Sequence, residues 1–373
     1  MLTGLRRSGK TTLLNLLLSD IPGENKIYFD LEKLNNRELF SQKNYDHILD
    51  SLGEMGLNLK RKMYIALDEI QLLPNIVSII KYLYDHNDIK FLVTGSSSYY
   101  LKNLFSESLA GRKLIFELFP LDFGEFLTFK NVRFNPGGDI LAAREFNAPE
   151  YQRVRALYEE YIAYGGFPEV VLAASAKQKK DLAQDIISSY VSVDIKSFVD
   201  FRDERNIYNL IKLLASRIGC RLDYSKLASL AGLSRITVMD YLDLFEKTYL
   251  ISRLPVFTKN PGREIAKAQK LYFCDNGLVN VLAQNSGGAQ FENAVFNQLR
   301  GHGELRYYAL KTGREIDFIL NKQTALECKE TPTAQDMPPL SALAKVAGIK
   351  KYRLIGRRAS PKFSGFIWGG MIR

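Results

Sequence analysis

The sequence predicts an α/β protein of several domains, and three observations support this fold class. A chain of 373 residues exceeds the roughly 100–200 residues of a typical domain. Short β-rich runs alternate with helical stretches in the first third, as in a parallel sheet covered by helices. The formal net charge of +10 lies in the last third, because residues 253–373 hold 19 Lys and Arg against 9 Asp and Glu, while residues 1–252 hold 32 of each.

Composition excludes several classes of protein. Charged residues make up 25% of the chain and the hydrophobic set 46%, which is typical of a globular protein. No run approaches the roughly 18 apolar residues of a membrane span, and the amino terminus lacks the order of a signal peptide. We therefore expect a cytoplasmic protein without a membrane partner. The basic last third favours nucleic acid as partner, with DNA first, although a solvated basic surface explains the charge equally well.

The elements follow in order from periodicity. Four β-rich runs predict the strands of the first sheet: Ile27–Asp30, Met63–Leu67, Ile89–Thr94 and Leu114–Leu118. After Pro120 the apolar spacing becomes helical and predicts a helical lid and connector, with helices in Phe123–Phe129, Val154–Tyr164 and Leu182–Val193.

A phosphate-binding loop stands near the amino terminus. Gly4–Thr11 reads GLRRSGKT, matching GxxxxGK[ST], and an apolar helical run follows it. Such a loop folds backbone N–H groups around phosphates, while Lys10 reaches the β and γ oxygens and Thr11 holds Mg²⁺. The spacing therefore predicts ATP and Mg²⁺ as cofactors, with the following contacts in this segment: Gly4, Arg7, Ser8, Gly9, Lys10, Thr11 and Thr12.

Two later strands end in groups that suit the same chemistry. Met63–Leu67 runs into Asp68, predicted to hold the Mg²⁺ shell, and Glu69, predicted to activate the attacking water. The strand Ile89–Thr94 runs into hydroxyls, and Thr94 or Ser96 is expected to sense the γ-phosphate. Acids and hydroxyls also simply terminate strands, which is the alternative explanation for each of these residues.

Together these motifs resemble a family of bacterial and archaeal AAA-type ATPases with a carboxy-terminal domain of unknown function. The resemblance rests on the phosphate loop and on LDEIQ at 67–71, VTGSS at 93–97, LAGR at 109–112 and GGFPE at 165–169. It implies that Arg112 is an arginine finger, often supplied by a neighbouring subunit, and hence a homo-oligomer. A salt-bridged surface arginine is the alternative.

One feature departs from that family, in which the strand before the phosphate loop is central to the sheet. Only Met1-Leu2-Thr3 precede Gly4, and a strand needs about five residues. We therefore expect the first strand to be missing, the natural protein to start upstream of Met1, and a gap or an intruding segment to lie between Ile89–Thr94 and Leu114–Leu118.

The middle of the chain has the order of predicted helices and strands that is typical of a winged helix. Helices are predicted at Ile207–Arg217, Tyr224–Ala231 and Ser234–Lys247, followed by a β wing at Tyr249–Val256. An apolar helix-turn-helix core is predicted from Leu227, Ala228, Leu233, Ile236, Val238, Leu242 and Leu244. The outward face of the third helix is predicted to carry Arg235, Thr237 and Asp240. Because this face is poor in cations, a spacer or interaction module competes with DNA reading.

The last module resembles PD-(D/E)xK nucleases of the restriction-endonuclease-like α/β fold. The pattern consists of Asp317 on one strand and Glu327 and Lys329 on the next, with Glu292 on the preceding helix. In that fold Glu292, Asp317 and Glu327 would bind metal, while Lys329 would orient the attacking water. A three-residue turn at 321–323 places Asp317 opposite Glu327, whereas a two-residue turn places it opposite Cys328. A plain hairpin with outward charges, or a fold kept only for binding, is the alternative.

These segments predict the following division: ATPase core 1–121, helical lid and connector 122–200, winged helix 201–258, linker 259–285 and nuclease-like domain 286–373. The catalytic residues expected are Glu69, Arg112, Asp317, Glu327 and Lys329. The favoured function is ATP hydrolysis coupled to a nucleic-acid-binding module with nuclease chemistry. The alternative is a nucleotide-dependent switch whose tail binds DNA or protein without catalysis.

Overall fold

A computed structural model describes residues 1–95, 112–133, 146–195, 204–258 and 268–372. The chain divides into two compact units. The first comprises residues 1–119 with 247–249, and the second residues 120–246 with 250–373. The division at 119 lies two residues from the boundary predicted at 121.

The first unit is built on a parallel sheet of five strands in the order β2-β3-β4-β1-β5. The apolar runs that the sequence shows become its strands, and along β3 the apolar side chains are buried almost continuously, as in a parallel sheet covered on both faces. The strands are β1 (Leu2–Thr3), β2 (Lys26–Asp30), β3 (Met63–Asp68), β4 (Ile89–Gly95) and β5 (Phe116–Glu117). The covering helices are α1 (Lys10–Asp20), α2 (Leu34–Phe40), α3 (Asp46–Glu54) and α4 (Ile76–His86).

Only part of the expected gap in this sheet is found. Leu2 and Thr3 do form the central strand, since they pair with Thr94 and Gly95 of β4 and with β5. The prediction that this strand is missing is therefore wrong for its last two residues. Along the amino-terminal half of β4, a cavity of about 350 Å³ opens between Lys90–Val93 and Leu114. Two residues are too short to cover the whole length of β4.

The second unit begins with helices that pack on its own carboxy-terminal sheet. Phe123 and Tyr158 make edge-to-face contacts with Trp368, so the predicted lid segment shares one hydrophobic core with the last module. The helices are α5 (Phe123–Phe129), α6 (Ala148–Tyr164), α7 (Pro168–Leu172), α8 (Ala176–Ser189), α9 (Glu204–Ala215), α10 (Tyr224–Ala231), α11 (Arg235–Lys247), α12 (Asn276–Leu282), α13 (Gly287–Leu299) and α14 (Met337–Ala347).

A two-stranded antiparallel ribbon follows the three helices α9, α10 and α11. It pairs β6 (Ile251–Leu254) with β7 (Lys270–Phe273), and Arg221 bridges to Lys270 on the other side. Residues 268–282, predicted as linker, thus form a buried strand and the helix α12. The prediction of a core position for Ile236 is wrong, since 72% of this residue is exposed. The period of the helix explains the exposure of Ile236, because Val238 and Leu242 define a buried face on which Ile236 does not lie.

The carboxy-terminal sheet has the order β12-β11-β10-β9-β8. Its strands are β8 (Leu305–Ala309), β9 (Glu315–Leu320), β10 (Thr324–Lys329), β11 (Lys351–Gly356) and β12 (Ile367–Trp368). The hairpin of β9 and β10 is antiparallel, with Leu320 opposite Thr324 and Phe318 opposite Leu326. The turn is therefore the three-residue alternative at 321–323, and the ladder ends at Phe318, one residue before Asp317.

Candidate functional site

The phosphate loop lies between the end of β1 and the start of α1. Its two framing glycines adopt φ values of 156° at Gly4 and 98° at Gly9, which other residues rarely adopt. A Cβ at Gly4 would also lie 2.1 Å from the Leu118 carbonyl oxygen. Glycine at these positions lets the backbone curl so that α1 begins at Lys10 and presents its amino terminus.

Two side chains of this loop point inward. Lys10 is 4% exposed, and its Nζ donates to the Leu5 carbonyl at 3.0 Å. The Ser8 Oγ is buried and has no hydrogen-bond partner among the described residues. Thr11 and Thr12 are exposed at the start of the helix. A buried hydroxyl without a partner is costly, and an oxygen-rich anion in the loop would satisfy it.

Asp68 ends β3 at the same edge of the sheet. Both of its carboxylate oxygens accept hydrogen bonds from neutral hydroxyls, Oδ1 from Thr94 of β4 and Oδ2 from Tyr28 of β2 at 2.9 Å. Burial, and then the bond to Asp68, raise the pKa of the Tyr28 phenol well above its ordinary value. Three neighbouring strands therefore hold one acidic side chain beside the phosphate loop.

Glu69 follows in a strained conformation. Its backbone lies in the left-handed region at φ 56° and ψ 47°, which is uncommon for a residue other than glycine. The Glu69 N–H donates to Thr94 Oγ1 at 3.2 Å, and its Oε2 accepts from the Gln71 side chain. Such strain persists where the surroundings enforce it, and it clusters at functional sites. Thr94 thus orients both acids.

The structure places the remaining predicted residues of this unit elsewhere. Arg112 forms an ion pair with Asp85 of α4 at 3.2 Å and lines the cavity beside Met1, at the amino-terminal edge of the sheet. The phosphate loop is at the opposite edge, so Arg112 does not serve the phosphate site of its own sheet. Ser96 lies outside the described residues.

An acidic cluster forms the predicted nuclease site of the second unit. The Lys270 ammonium lies within it, 3.1 Å from Glu292 Oε1, 3.0 Å from Glu315 Oε1 and 3.4 Å from Asp317 Oδ1. Tyr272 donates to the same Glu292 oxygen at 2.6 Å. Burial alone would lower the pKa of Lys270, but the three carboxylates outweigh it and raise that pKa.

The ends of β9 and β10 complete the cluster. Asp317 Oδ2 accepts from the Cys328 N–H at 2.9 Å, and Lys329 Nζ donates to Glu327 Oε1 at 3.1 Å. Burial, and then Asp317, raise the pKa of Glu327 to about 8, and the same causes raise that of Glu292 to about 7. The other oxygen of Glu327 is buried without a partner among the described residues.

A cavity of about 240 Å³ opens beside these strand ends. Its polar lining comes from Arg314, Glu315, Glu327, Lys329 and Asp336. Three carboxylates and two cations therefore line one open space.

The donor set of this cluster does not suit a divalent metal ion. In the described ranges no three acidic, histidine or cysteine side chains converge in a way that could hold one. The cation at the centre of the carboxylates is Lys270, which no motif in the sequence identifies. A lone lysine opening the apolar run of β7 was the available signal. Tyr28 and Gln71 were missed as well, because only the fold shows which acids they bond.

No helix in the part of the chain that the structure describes is both long and apolar enough to cross a bilayer.

Comparison with protein families assigns two segments. Residues 1–127 match the family model of the AAA domain, and residues 155–288 match a family described as a domain of unknown function, DUF8612. The AAA match contains the phosphate loop, Asp68, Glu69, Thr94 and Arg112. The amino-terminal unit is thus an AAA-type nucleotide-binding domain of the ATPase kind.

Relatives exist in archaea and bacteria. An uncharacterized protein of Methanocaldococcus jannaschii is 28% identical over 344 residues, covering 88% of this chain and 74% of the relative. A Haemophilus influenzae protein is 27% identical over 339 residues, covering 86% of this chain and 79% of the relative. Among solved structures, the Aeropyrum pernix ORC2 protein in its ADP form matches with a TM-score of 0.35 at 13% identity, covering 72% of this chain and 82% of that one.

Proposed function

We propose that this chain is a cytoplasmic ATPase that couples ATP binding and hydrolysis to a nucleic-acid-binding carboxy-terminal module. The observation that carries the proposal is the edge of the first sheet, where the phosphate loop, Asp68, Glu69 and Thr94 meet. Parallel strands present their carboxyl ends together, and ligands of such sheets bind there. We also propose that the chain forms a homo-oligomer and that the nucleic acid is DNA.

The residues of this edge fit ATP and Mg²⁺. The α1 amino terminus and Lys10 would contact the β and γ phosphates, and the Ser8 hydroxyl is available to a phosphate oxygen. The Thr11 hydroxyl and the Asp68 carboxylate are oxygen donors of the kind that Mg²⁺ prefers. Glu69, held by Gln71, is the group that would orient the attacking water. Bound Mg²⁺ would neutralise charge on the phosphates.

Arg112 fits this scheme as a residue that acts in the phosphate site of another subunit. In its own unit it pairs with Asp85 at the edge opposite the phosphate loop. A side chain so placed can stabilise a transferring phosphoryl group only in a neighbouring subunit. The proposed homo-oligomer gives Arg112 that role.

The nucleic-acid part rests on the basic second unit. Many cations around the carboxy-terminal sheet are exposed: Lys311, Arg314, Lys322, Lys345, Lys350, Lys351, Arg358 and Lys362. Exposed cations bind phosphates by releasing counterions. By contrast, α11 exposes Ile236 and Asp240 beside Arg235, which is a poor surface for reading base edges. The proposal therefore assigns binding to the sheet module rather than to sequence-specific reading by α11.

The proposal is tested by measuring nucleotide and DNA binding in one set of variants. Lys10→Ala should abolish ATP binding and remove any effect of ATP on the affinity for labelled duplex and single-stranded oligonucleotides. The exposed Lys81→Ala, in the same unit, is the matched control and should retain both. ATP binding by Lys10→Ala equal to that of Lys81→Ala would refute the assignment of the loop.

Metal-dependent cleavage is the alternative that the sequence pattern of Asp317, Glu327 and Lys329 suggests for the last module, although the described residues contain no group of side chains that could hold a metal ion. An assay of DNA cleavage with Mg²⁺ or Mn²⁺, with and without ATP, tests it. Product that persists in Asp317→Ala would exclude this site as its source.

A further inference from the structure

The acidic cluster of the second unit already contains a cation of its own. Lys270 is 1% exposed, and its Nζ lies between 3.0 and 3.4 Å from carboxylate oxygens of Glu292, Glu315 and Asp317. A buried ammonium is tolerated only when it is paired, and here three carboxylates from α13 and β9 surround it. Lysine has three N–H donors. Each has a carboxylate to face, so none is left for a phosphate or a water.

Several carboxylate oxygens of the cluster also have partners. Glu292 Oε1 accepts from Lys270 and from the Tyr272 hydroxyl, and Asp317 Oδ2 accepts from the Cys328 N–H. The backbone at Gly219 also packs close to the Glu292 carboxylate, because a Cβ on Gly219 would lie 3.2 Å from Glu292 Oε2. Divalent ions such as Mg²⁺ require about six oxygen ligands in close geometry. Carboxylate oxygens that already accept from Lys270, Tyr272 and the Cys328 N–H do not offer that shell.

We infer that the Lys270 ammonium takes the place of a divalent metal ion in this cluster, so that the carboxy-terminal module holds nucleic acid without metal and does not cleave it. The inference rests on the nucleic-acid-binding role proposed above and specifies how that module works. An ammonium balances the charge of carboxylates but cannot bind water and lower its pKa as a metal ion does. Phosphate contact is left to Arg314 and Lys329 at the neighbouring cavity.

Direct measurement of Mn²⁺ binding tests this inference. The full chain without nucleotide is titrated with Mn²⁺, and free Mn²⁺ is followed by electron paramagnetic resonance. Wild type and Asp317→Asn should show the same weak, nonspecific binding. Lys270→Met, which removes the ammonium and keeps the chain length, should gain about one tighter site, and Lys270→Met with Asp317→Asn should lose it again. A site in wild type that disappears in Asp317→Asn would overturn the inference, as would a folded Lys270→Met without a new site.

A folding control keeps the result decisive. Lys270→Met leaves buried carboxylates without their counter-ion, so its melting temperature should fall and should recover when Mn²⁺ is added. Lys270→Arg retains the charge and should neither gain the site nor respond to Mn²⁺. If Lys270→Met fails to fold, the comparison of wild type with Asp317→Asn still decides. DNA affinity measured on the same wild-type sample separates the two ideas, because its absence refutes nucleic-acid binding without changing the Mn²⁺ result.

Discussion

The phosphate edge of the first unit and the acidic cluster of the second are built from the same parts, a buried lysine and carboxylates at strand ends. They differ in what the carboxylates contact. Both oxygens of Asp68 accept from neutral hydroxyls, whereas Asp317 accepts from the charged Lys270. Neutral partners orient an acid and leave its charge available to a charged ligand. A cationic side chain of the same protein also orients the acid, but it cancels the negative charge of the acid.

The backbone shows the same contrast. Glu69 is held in the left-handed region, and the Ser8 hydroxyl is buried without a partner among the described residues. Both costs are expected at a site that is completed by its ligand. In the acidic cluster, Glu315, Asp317 and Glu327 lie on extended strands. The first site is therefore prepared for a ligand, while in the second Lys270 already balances the charge of Glu292, Glu315 and Asp317.

The largest effect is expected from Glu69→Gln. Removing the carboxylate that would position water should lower the rate of ATP hydrolysis by about 10²–10⁴-fold, the range for loss of such a group. ATP affinity should stay nearly constant, because glutamine keeps the size of glutamate and its carbonyl oxygen can still accept from Gln71. Steady-state hydrolysis and equilibrium nucleotide binding measure the two quantities, with the exposed Glu38→Gln as control. Parallel loss of binding would show that Glu69 holds the nucleotide instead.

A second prediction compares the two lysines by stability. Lys270→Met should lower the free energy of unfolding by about 3–5 kcal/mol, the cost of breaking a buried ion pair from one side. Lys10→Ala should cost less, because the lost partner at Leu5 is a neutral carbonyl. Urea unfolding measures both, and the exposed Lys350→Met should have little effect. Equal losses for Lys270→Met and Lys350→Met would contradict the buried ion cluster.

Asp275 provides a carboxylate outside both sites. It caps α12, accepting from the Leu278 N–H at 3.1 Å and the Gly166 N–H at 2.6 Å, while burial raises its pKa to about 6. The unfolded chain loses this proton near its ordinary pKa of 3.8, and the folded chain keeps it until about 6. Stability should therefore fall as pH rises through that window, by on the order of 3 kcal/mol. The loss of stability with rising pH should be absent in Asp275→Asn. Urea unfolding at several pH values measures it, and parallel pH profiles of wild type and variant would contradict the assignment to Asp275.

The smallest effect is expected at the cavity beside the acidic cluster. Arg314→Ala removes one exposed cation, so the slope of log affinity for DNA against log salt should decrease by about one. Lys351→Ala is the comparison variant for the other end of the sheet, because Lys351 pairs with Thr324 at that end of β10. Titrations by fluorescence anisotropy at several salt concentrations give both slopes. A larger change for Lys351→Ala would move the binding surface to that end of the sheet.

Local pattern sufficed for much of this architecture. Strand Met63–Asp68 and helix Tyr224–Ala231 fall where period and turn residues place them, and the turn at 321–323 follows from requiring Asp317 opposite Glu327. What the sequence could not supply is partnership across the fold. Lys270 lies 22 residues before Glu292 in a segment predicted as linker, and its role depends on the pairing of β7 with β6. The partial central strand likewise became visible only through its pairing with β4.

The contrast between the two sites is tested most directly by the metal dependence of DNA binding in Lys10→Ala, whose phosphate site is disabled. Affinity for a labelled oligonucleotide is measured in excess EDTA and in Mn²⁺ at matched ionic strength, and the oligonucleotide is then examined for cleavage. Equal affinities and an intact oligonucleotide are expected, because Lys270 supplies the charge of the cluster. Binding that is lost in EDTA, or product that forms only with Mn²⁺ and depends on Asp317, would contradict a site completed by its own lysine.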